Sequence, residues 1–272
     1  MLYKQNLHTH STYCDGKDNI EDIIIKAIDK GFNSIGFSSH APMKGGDYWW
    51  AMKGNSIQSY INEIRDLKKK YENAIDVYCG LEMDLNSPLN IRELDYVIGS
   101  IHFLPINNEL IKFDVSLDGV QDIINRYFNS SWLEYVEKYY KTFVEGIKET
   151  KVDIVGHLDL VSKHSEKQPL FDINRFEYKS LAIEALREIV QKCNVLEVNT
   201  GAISRSYRKT PYPARFLLEE IKRLKAKVVF SSDCHNMEYL DCYYNESMEM
   251  LKSVGINEIA IFEKGRFIDK KI

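Results

Sequence analysis

Apolar runs alternate with amphipathic stretches along most of this 272-residue chain. The runs Ser34–His40, Asp76–Glu82, Tyr96–His102, Val152–His157, Val195–Asn199 and Lys227–His235 are apolar through their centres, the mark of strands buried on both faces. A shorter extended segment, Lys4 to His8, precedes them. Between the runs, apolar positions recur at helical spacing. Ile20–Lys30 carries Ile23, Ile24, Ala27 and Ile28 on one stripe, with Glu21 and Asp22 at its start and Gly31 at its end. Ser59–Glu72, one or two helices within about Val120–Thr150 (Ser130 or Ser131 as a cap), Asn174–Lys192, Ala214–Leu224 and Met237–Val254 read the same way. Two stretches break the alternation. Ala41–Gly54 is a loop rich in glycine and aromatics, and Phe103–Gln121 is expected to be an irregular excursion over a site. After the last helix, Glu263-Lys264-Gly265 joins a strand pair at about residues 258–268.

Strands alternating with helices predict a parallel sheet covered on both sides. Seven such units within about 235 residues fit a closed α/β barrel better than an open sheet, which would gather its functional residues at one switch point. Neither a linker nor a repeat interrupts the pattern, so residues 1–272 are expected to form one domain.

Charge and cysteine usage narrow the partners. The 36 basic and 40 acidic residues leave a formal charge of −4, too little positive field to capture nucleic acid. No apolar run approaches membrane-spanning length, and Met1-Leu2-Tyr3-Lys4-Gln5 lacks a charged-then-apolar signal pattern, so a cytoplasmic protein is expected. The five cysteines are scattered and contain no C-x-x-C pair, which argues for reduced thiols and against a thiolate zinc site.

The chemistry lies in the histidines. His8 and His10 stand two apart on an extended segment, so their side chains share a face and can grip one ion. Of the seven histidines, His8, His10, His40, His102, His157 and His235 fall at or just past the C-terminal end of a predicted strand, as do Glu82 and Asp233. In a barrel those ends form the rim that carries the active site. Only His164 stands apart, as a solvent-facing loop or helix residue. So many imidazoles and carboxylates exceed the needs of one ion, and suit two or three divalent ions sharing a bridging carboxylate. Such clusters serve phosphoester hydrolysis.

His8-x-His10, Asp15-Gly16, Phe37-Ser38-Ser39-His40-Ala41-Pro42, Gly80-Leu81-Glu82, Gly99-Ser100-Ile101-His102, Gly156-His157-Leu158-Asp159 and Ser232-Asp233-Cys234-His235 together resemble the PHP (polymerase and histidinol phosphatase) metal-dependent hydrolases. The match runs in order from the N-terminus to about residue 240. Ile98–Phe103, His157–Leu160 and Glu197-Val198-Asn199-Thr200-Gly201, followed by Arg205 and Tyr212-Pro213, look most like the histidinol-phosphate phosphatases. The resemblance implies a distorted seven-stranded, TIM-like barrel holding three ions of zinc, iron or manganese. It implies that His8, His10, Glu82 and Asp233 hold the first, and that Asp15, His40 and His235 hold the second. Glu82, as bridge, would hold the third with His102 and His157. Ser39 departs from the acidic residue that relatives often carry before the histidine, which removes a bond expected to support His40.

The activity implied is hydrolysis of L-histidinol phosphate, a small phosphomonoester, in histidine biosynthesis. A metal-bridging hydroxide would attack, Arg205 would bind phosphate and steady its charge, and Asp233 or His235 would protonate the leaving oxygen. Lys163, Arg208 and Lys209 are secondary phosphate candidates whose plain reading is a solvated base. Trp49, with Asp47, Tyr48 and Trp50, is expected to wall the site against a cationic substrate. Cys234 reads as packing rather than a nucleophile. Two alternatives remain: a PHP phosphatase for a nucleotide, sugar phosphate or phosphotyrosine, and a non-catalytic PHP module.

Overall fold

A computed structural model of the chain describes residues 3–272. Among them, seven parallel strands form one sheet, in the order β1 (Gln5–Asn6), β2 (Ser34–Phe37), β3 (Asp76–Asp84), β4 (Tyr96–Ser100), β7 (Ile154–Val155), β8 (Val195–Asn199) and β9 (Lys227–Ser231). Past the ends of β9 and β1 the sheet closes on itself. Thr9 bridges Cys234 in parallel, His10 N donates to the Cys234 carbonyl at 2.8 Å, and Cys234 N donates to that of His8 at 3.1 Å. The result is a distorted seven-stranded barrel. Its closing seam runs through His8, Thr9, His10 and Cys234, so two of the predicted ligands lie on it.

Helices α1 (Ile20–Asp29), α2 (Ile57–Lys70), α3 (Leu117–Tyr127), α4 (Trp132–Glu149), α5 (Phe176–Val190), α7 (Arg215–Leu224) and α8 (Tyr244–Ser253) surround the sheet, and α6 (Gly201–Ser204) is a single turn after β8. Local chemistry sets their starts: the Asn19, Ser116 and Ser131 side chains accept from the backbone N–H of Asp22, Gly119 and Glu134. The opposite end of the barrel is closed by an antiparallel pair, β10 (Glu258–Glu263) and β11 (Arg266–Lys271). Ala260 and Phe262 pack there with Leu7, Tyr78, Tyr96, Ile98, Ile154, Val195 and Val229. The Gln5 side-chain amide pairs with both the N–H and the carbonyl of Phe262. Apolar contact and satisfied buried amides thus seal one end and leave the other for chemistry.

Several expectations need correction. Phe103–Gln121 is not irregular: β5 (Phe103–Ile106) and β6 (Glu109–Lys112) form a hairpin, and α3 begins at Leu117. Asn107 and Asn108 take the left-handed backbone that a two-residue turn requires (φ 51° and 64°), a signal present in the sequence as Asn-Asn. Met237–Val254 is not one helix, because Tyr243 turns left-handed at φ 58° and α8 starts only after it. The C-terminal pair runs to Lys271, β3 extends two residues past Glu82 to Asp84, and β7 shrinks to two residues.

Candidate metal centre

Each strand end delivers its ligands for a local reason. His8 and His10 follow β1 with alternate residues on one face, while Glu82 and Asp84 share a face of β3. His40 lies beside Glu82 across a parallel bridge. His102, His157 and His235 lie just beyond β4, β7 and β9. Asp233 adopts a left-handed backbone, φ 47°, which aspartate tolerates better than bulkier residues.

Glu82 is the hub. Its carboxylate oxygens lie 2.9 Å from His40 Nδ1 and His157 Nε2, 3.2 Å from His8 Nε2, and 3.5 Å from His10 Nε2 and His102 Nε2. Asp233 Oδ1 faces His10 Nε2 at 3.3 Å, His235 Nδ1 at 3.4 Å and His8 Nε2 at 3.8 Å. Asp15 Oδ1 is 3.2 Å from His235 Nε2 and 3.8 Å from His40 Nε2. Three groupings have donor atoms mutually within 4.8 Å: His10, Asp15, His40 and His235; His8, His10 and Asp233; His40, Glu82 and His102. Against the family partition, the first grouping adds His10 to Asp15, His40 and His235, and the second lacks Glu82. In the third, His40 stands where His157 was expected, although His157 still touches Glu82 directly.

The donor set fits divalent cations. His8 Nε2, His10 Nε2, Asp15 Oδ1 and Glu82 Oε2 are buried and find no hydrogen-bond partner among the described residues. Buried polar atoms rarely go unpaired unless something else completes them, and nitrogen with carboxylate oxygen is the donor chemistry of zinc, iron and manganese. The electrostatics agree. Burial opposes charge on Glu82, but His8, His40 and His102 outweigh it and hold its carboxyl well below the usual range. Burial likewise opposes ionisation of Asp233, and Arg205 and His8 overcome it. Burial together with the neighbouring His235 and His40 pushes His10 down, leaving a free imidazole lone pair.

A cavity of about 310 Å³ opens beside this cluster, within the size range of a small-molecule site. Arg205 lies on its wall, but two of its nitrogens already serve Asp233: Nη2 donates to Oδ2 at 2.8 Å and Nη1 to the carbonyl at 3.1 Å. Lys163 also lines the cavity. It is no ordinary solvated base, since its ammonium donates to Asp114 at 2.6 Å and lies over the Tyr207 ring. Arg208 is buried, close to Asp159 and Glu166, and only Lys209 remains exposed. Trp49 stands on the rim, 84% exposed, whereas Trp50 is buried edge-on to His40. His164 is half-buried against the Val115 carbonyl instead of facing solvent. The Ser39 hydroxyl pairs with that of Ser11.

Three acidic residues went unassigned in the sequence. Asp84 Oδ2 accepts from His102 N at 2.7 Å, and the same i, i+2 rule that joined His8 to His10 would have found it from Glu82. Glu197 holds His8 Nδ1 at 2.8 Å. Asp114, which anchors Lys163, follows the β5–β6 hairpin and had no local signal.

A PHP domain family model matches residues 6–201. The histidinol-phosphatase of Bacillus subtilis is 27% identical over 271 residues, covering 91% of this chain and 99% of its own. The histidinol-phosphatase of Lactococcus lactis is 24% identical, covering 99% and 97%. In fold, the chain is similar to the crystal structure of histidinol phosphate phosphatase from Lactococcus lactis complexed with zinc, L-histidinol and phosphate, with a TM-score of 0.72, 20% identity, and 98% and 100% of the two chains covered.

Proposed function

Since this chain belongs to the PHP domain family, we propose that it is a metal-dependent phosphomonoesterase that hydrolyses L-histidinol phosphate to L-histidinol and phosphate. The observation that carries the reading is the convergence of strand-end histidines on Glu82, in a chain that aligns over nearly its whole length with histidinol-phosphatases. We take the chain as one PHP domain, C-terminal hairpin included, and place it in the cytoplasm, in keeping with its five free cysteines.

His8, His10, Glu82 and Asp233 would hold one ion, Asp15, His40 and His235 a second, and His102 and His157 with Glu82 a third, of zinc, iron or manganese. When bound, such ions activate water at neutral pH and neutralise charge on phosphoryl oxygens. Arg205 has five donors in a rigid fork, so its pairing with Asp233 leaves others for phosphate. Lys163, held by Asp114, adds a second positive group on the cavity wall. Asp233 or His235, which both line the cavity, would protonate the leaving alcohol. Trp49 at the rim would cover the substrate's imidazole.

The test is phosphate release from histidinol phosphate with and without chelator, alongside a nucleotide, a sugar phosphate and phosphotyrosine. Chelator-sensitive release, fastest with histidinol phosphate, is expected. Equal or faster turnover of another ester would overturn the substrate assignment.

A further inference from the structure

Glu197 belongs to a stretch whose chemistry the proposed reaction does not use. It lies in the middle of β8, 1% exposed, and no lysine or arginine pairs with it among the described residues. Two of its four bonds instead reach proposed metal ligands. One oxygen lies 2.8 Å from His8 Nδ1 and also accepts from the Ser231 hydroxyl. The other accepts from His157 N at 2.6 Å and from Asn199 Nδ2 at 2.7 Å. We propose that Glu197 is a positioning residue of the metal centre, one buried carboxylate that fixes the ring of His8 and the backbone of His157 together.

The reasoning starts from proton bookkeeping on His8. A neutral imidazole carries one N–H, and an ionised carboxylate only accepts. Glu197 therefore requires the hydrogen to sit on Nδ1. The lone pair of Nε2 is then directed at Glu82 and Asp233, where that nitrogen finds no other partner. A carboxylate behind a ligating histidine fixes tautomer and ring orientation and strengthens the nitrogen as a donor. The second oxygen does different work. By holding the N–H of His157, it sets the point from which that side chain reaches Glu82 at 2.9 Å. Ligands after β1 and after β7 thus share one anchor on β8. Glutamine at 197 would keep the volume but point an N–H at one of these donors.

The inference rests on the reading of His8 and His157 as metal ligands, and the experiment separates the two. Zinc is titrated into the metal-free full chain against a chromophoric chelator, for wild type and Glu197→Gln, with circular dichroism as the check on folding. Binding about 10–100-fold weaker in the variant is expected. Equal affinity in the two proteins overturns the role of Glu197 and leaves the metal centre standing, whereas a wild type that takes up no zinc overturns both. The wild type also supplies a readout that needs no folded Glu197 variant. In zinc-loaded, ¹⁵N-histidine-labelled protein, the His8 resonances, assigned by their absence from His8→Gln, should show a protonated Nδ1 and an unprotonated, zinc-bound Nε2. The opposite tautomer refutes the proposal.

Discussion

The carboxylate of Glu82 and Nε2 of His157 lie 2.9 Å apart, although 75 positions separate the two residues in the chain. The second oxygen of Glu82 is as close to His40 Nδ1. A carboxylate engaged from both sides in this way can touch two cations at once, and its charge is then worth more than its shape. Glu82→Gln preserves shape and removes charge. Phosphate release should fall by at least about 10²–10³-fold, with a parallel loss of bound metal in elemental analysis. A glutamine variant with near-normal turnover would remove Glu82 from the centre.

Metal loading should acidify the solution. Burial opposes charge on His102, but Glu82 and Asp84 overcome it and push its pKa up to about 9, and His8 is raised as well, chiefly by Glu197 and Glu82 against its burial. His102 therefore carries an extra proton in the metal-free protein at neutral pH, and a cation must displace it. Because the raised pKa belongs to the metal-free state, affinity should climb as pH rises towards about 9, by up to about tenfold per pH unit for each proton displaced. Zinc titration in weak buffer with an indicator dye measures the release directly. An affinity independent of pH over that range would contradict it.

Gly201 offers a test of how tightly Arg205 and Asp233 are held. A Cβ at this position would come within 2.6 Å of Asp233 Oδ2 and 2.7 Å of Arg205 Nη2, the two atoms that pair at 2.8 Å. The glycine opens the short helix α6, where alanine is conformationally favourable. The new Cβ would also meet Asp233 Cβ at 2.7 Å, so Gly201→Ala should lower the thermal midpoint while circular dichroism still shows a folded protein. Displacing the ion pair by even about 1 Å should still reduce kcat roughly 100-fold. Unchanged kcat would show that the pair does not need its observed geometry.

Most of the centre was legible because strand ends are legible. A buried parallel strand reads as an apolar run, so a histidine at its end stands out, and six such residues could only meet on the rim of a closed barrel. Glu197 and Asp84 were harder to see, since they lie within or just past a strand and act through other residues. Asp114 was invisible for a different reason: its position depends on the β5–β6 hairpin, and the alternation Ile111-Lys112-Phe113-Asp114-Val115-Ser116-Leu117 marks it only as one polar position among several. Arg208 looked like a surface base in an Arg-Lys-Thr loop, yet Ser162 and Glu166, more than forty residues earlier, accept its hydrogen bonds. Contacts of that range carry no trace in local sequence.

Cys234 lies between two proposed ligands, Asp233 and His235, and invites reading as a nucleophile. Its environment opposes that. The residue is 1% exposed, its thiol donates to the Asn236 carbonyl, and burial pushes the thiol up to about 12. At neutral pH only on the order of one molecule in 10⁵ would carry the thiolate that nucleophilic attack requires. What Cys234 does supply to the site is its backbone, which receives a hydrogen bond from His10 and gives one to His8. Cys234→Ala retains both. The variant should keep kcat within about threefold while losing roughly 1–2 kcal/mol of stability, the cost of a small group removed from a packed core. Iodoacetamide should leave the folded wild type active. Loss of turnover in a Cys234→Ala protein that still binds its full complement of metal would restore the thiol to the mechanism.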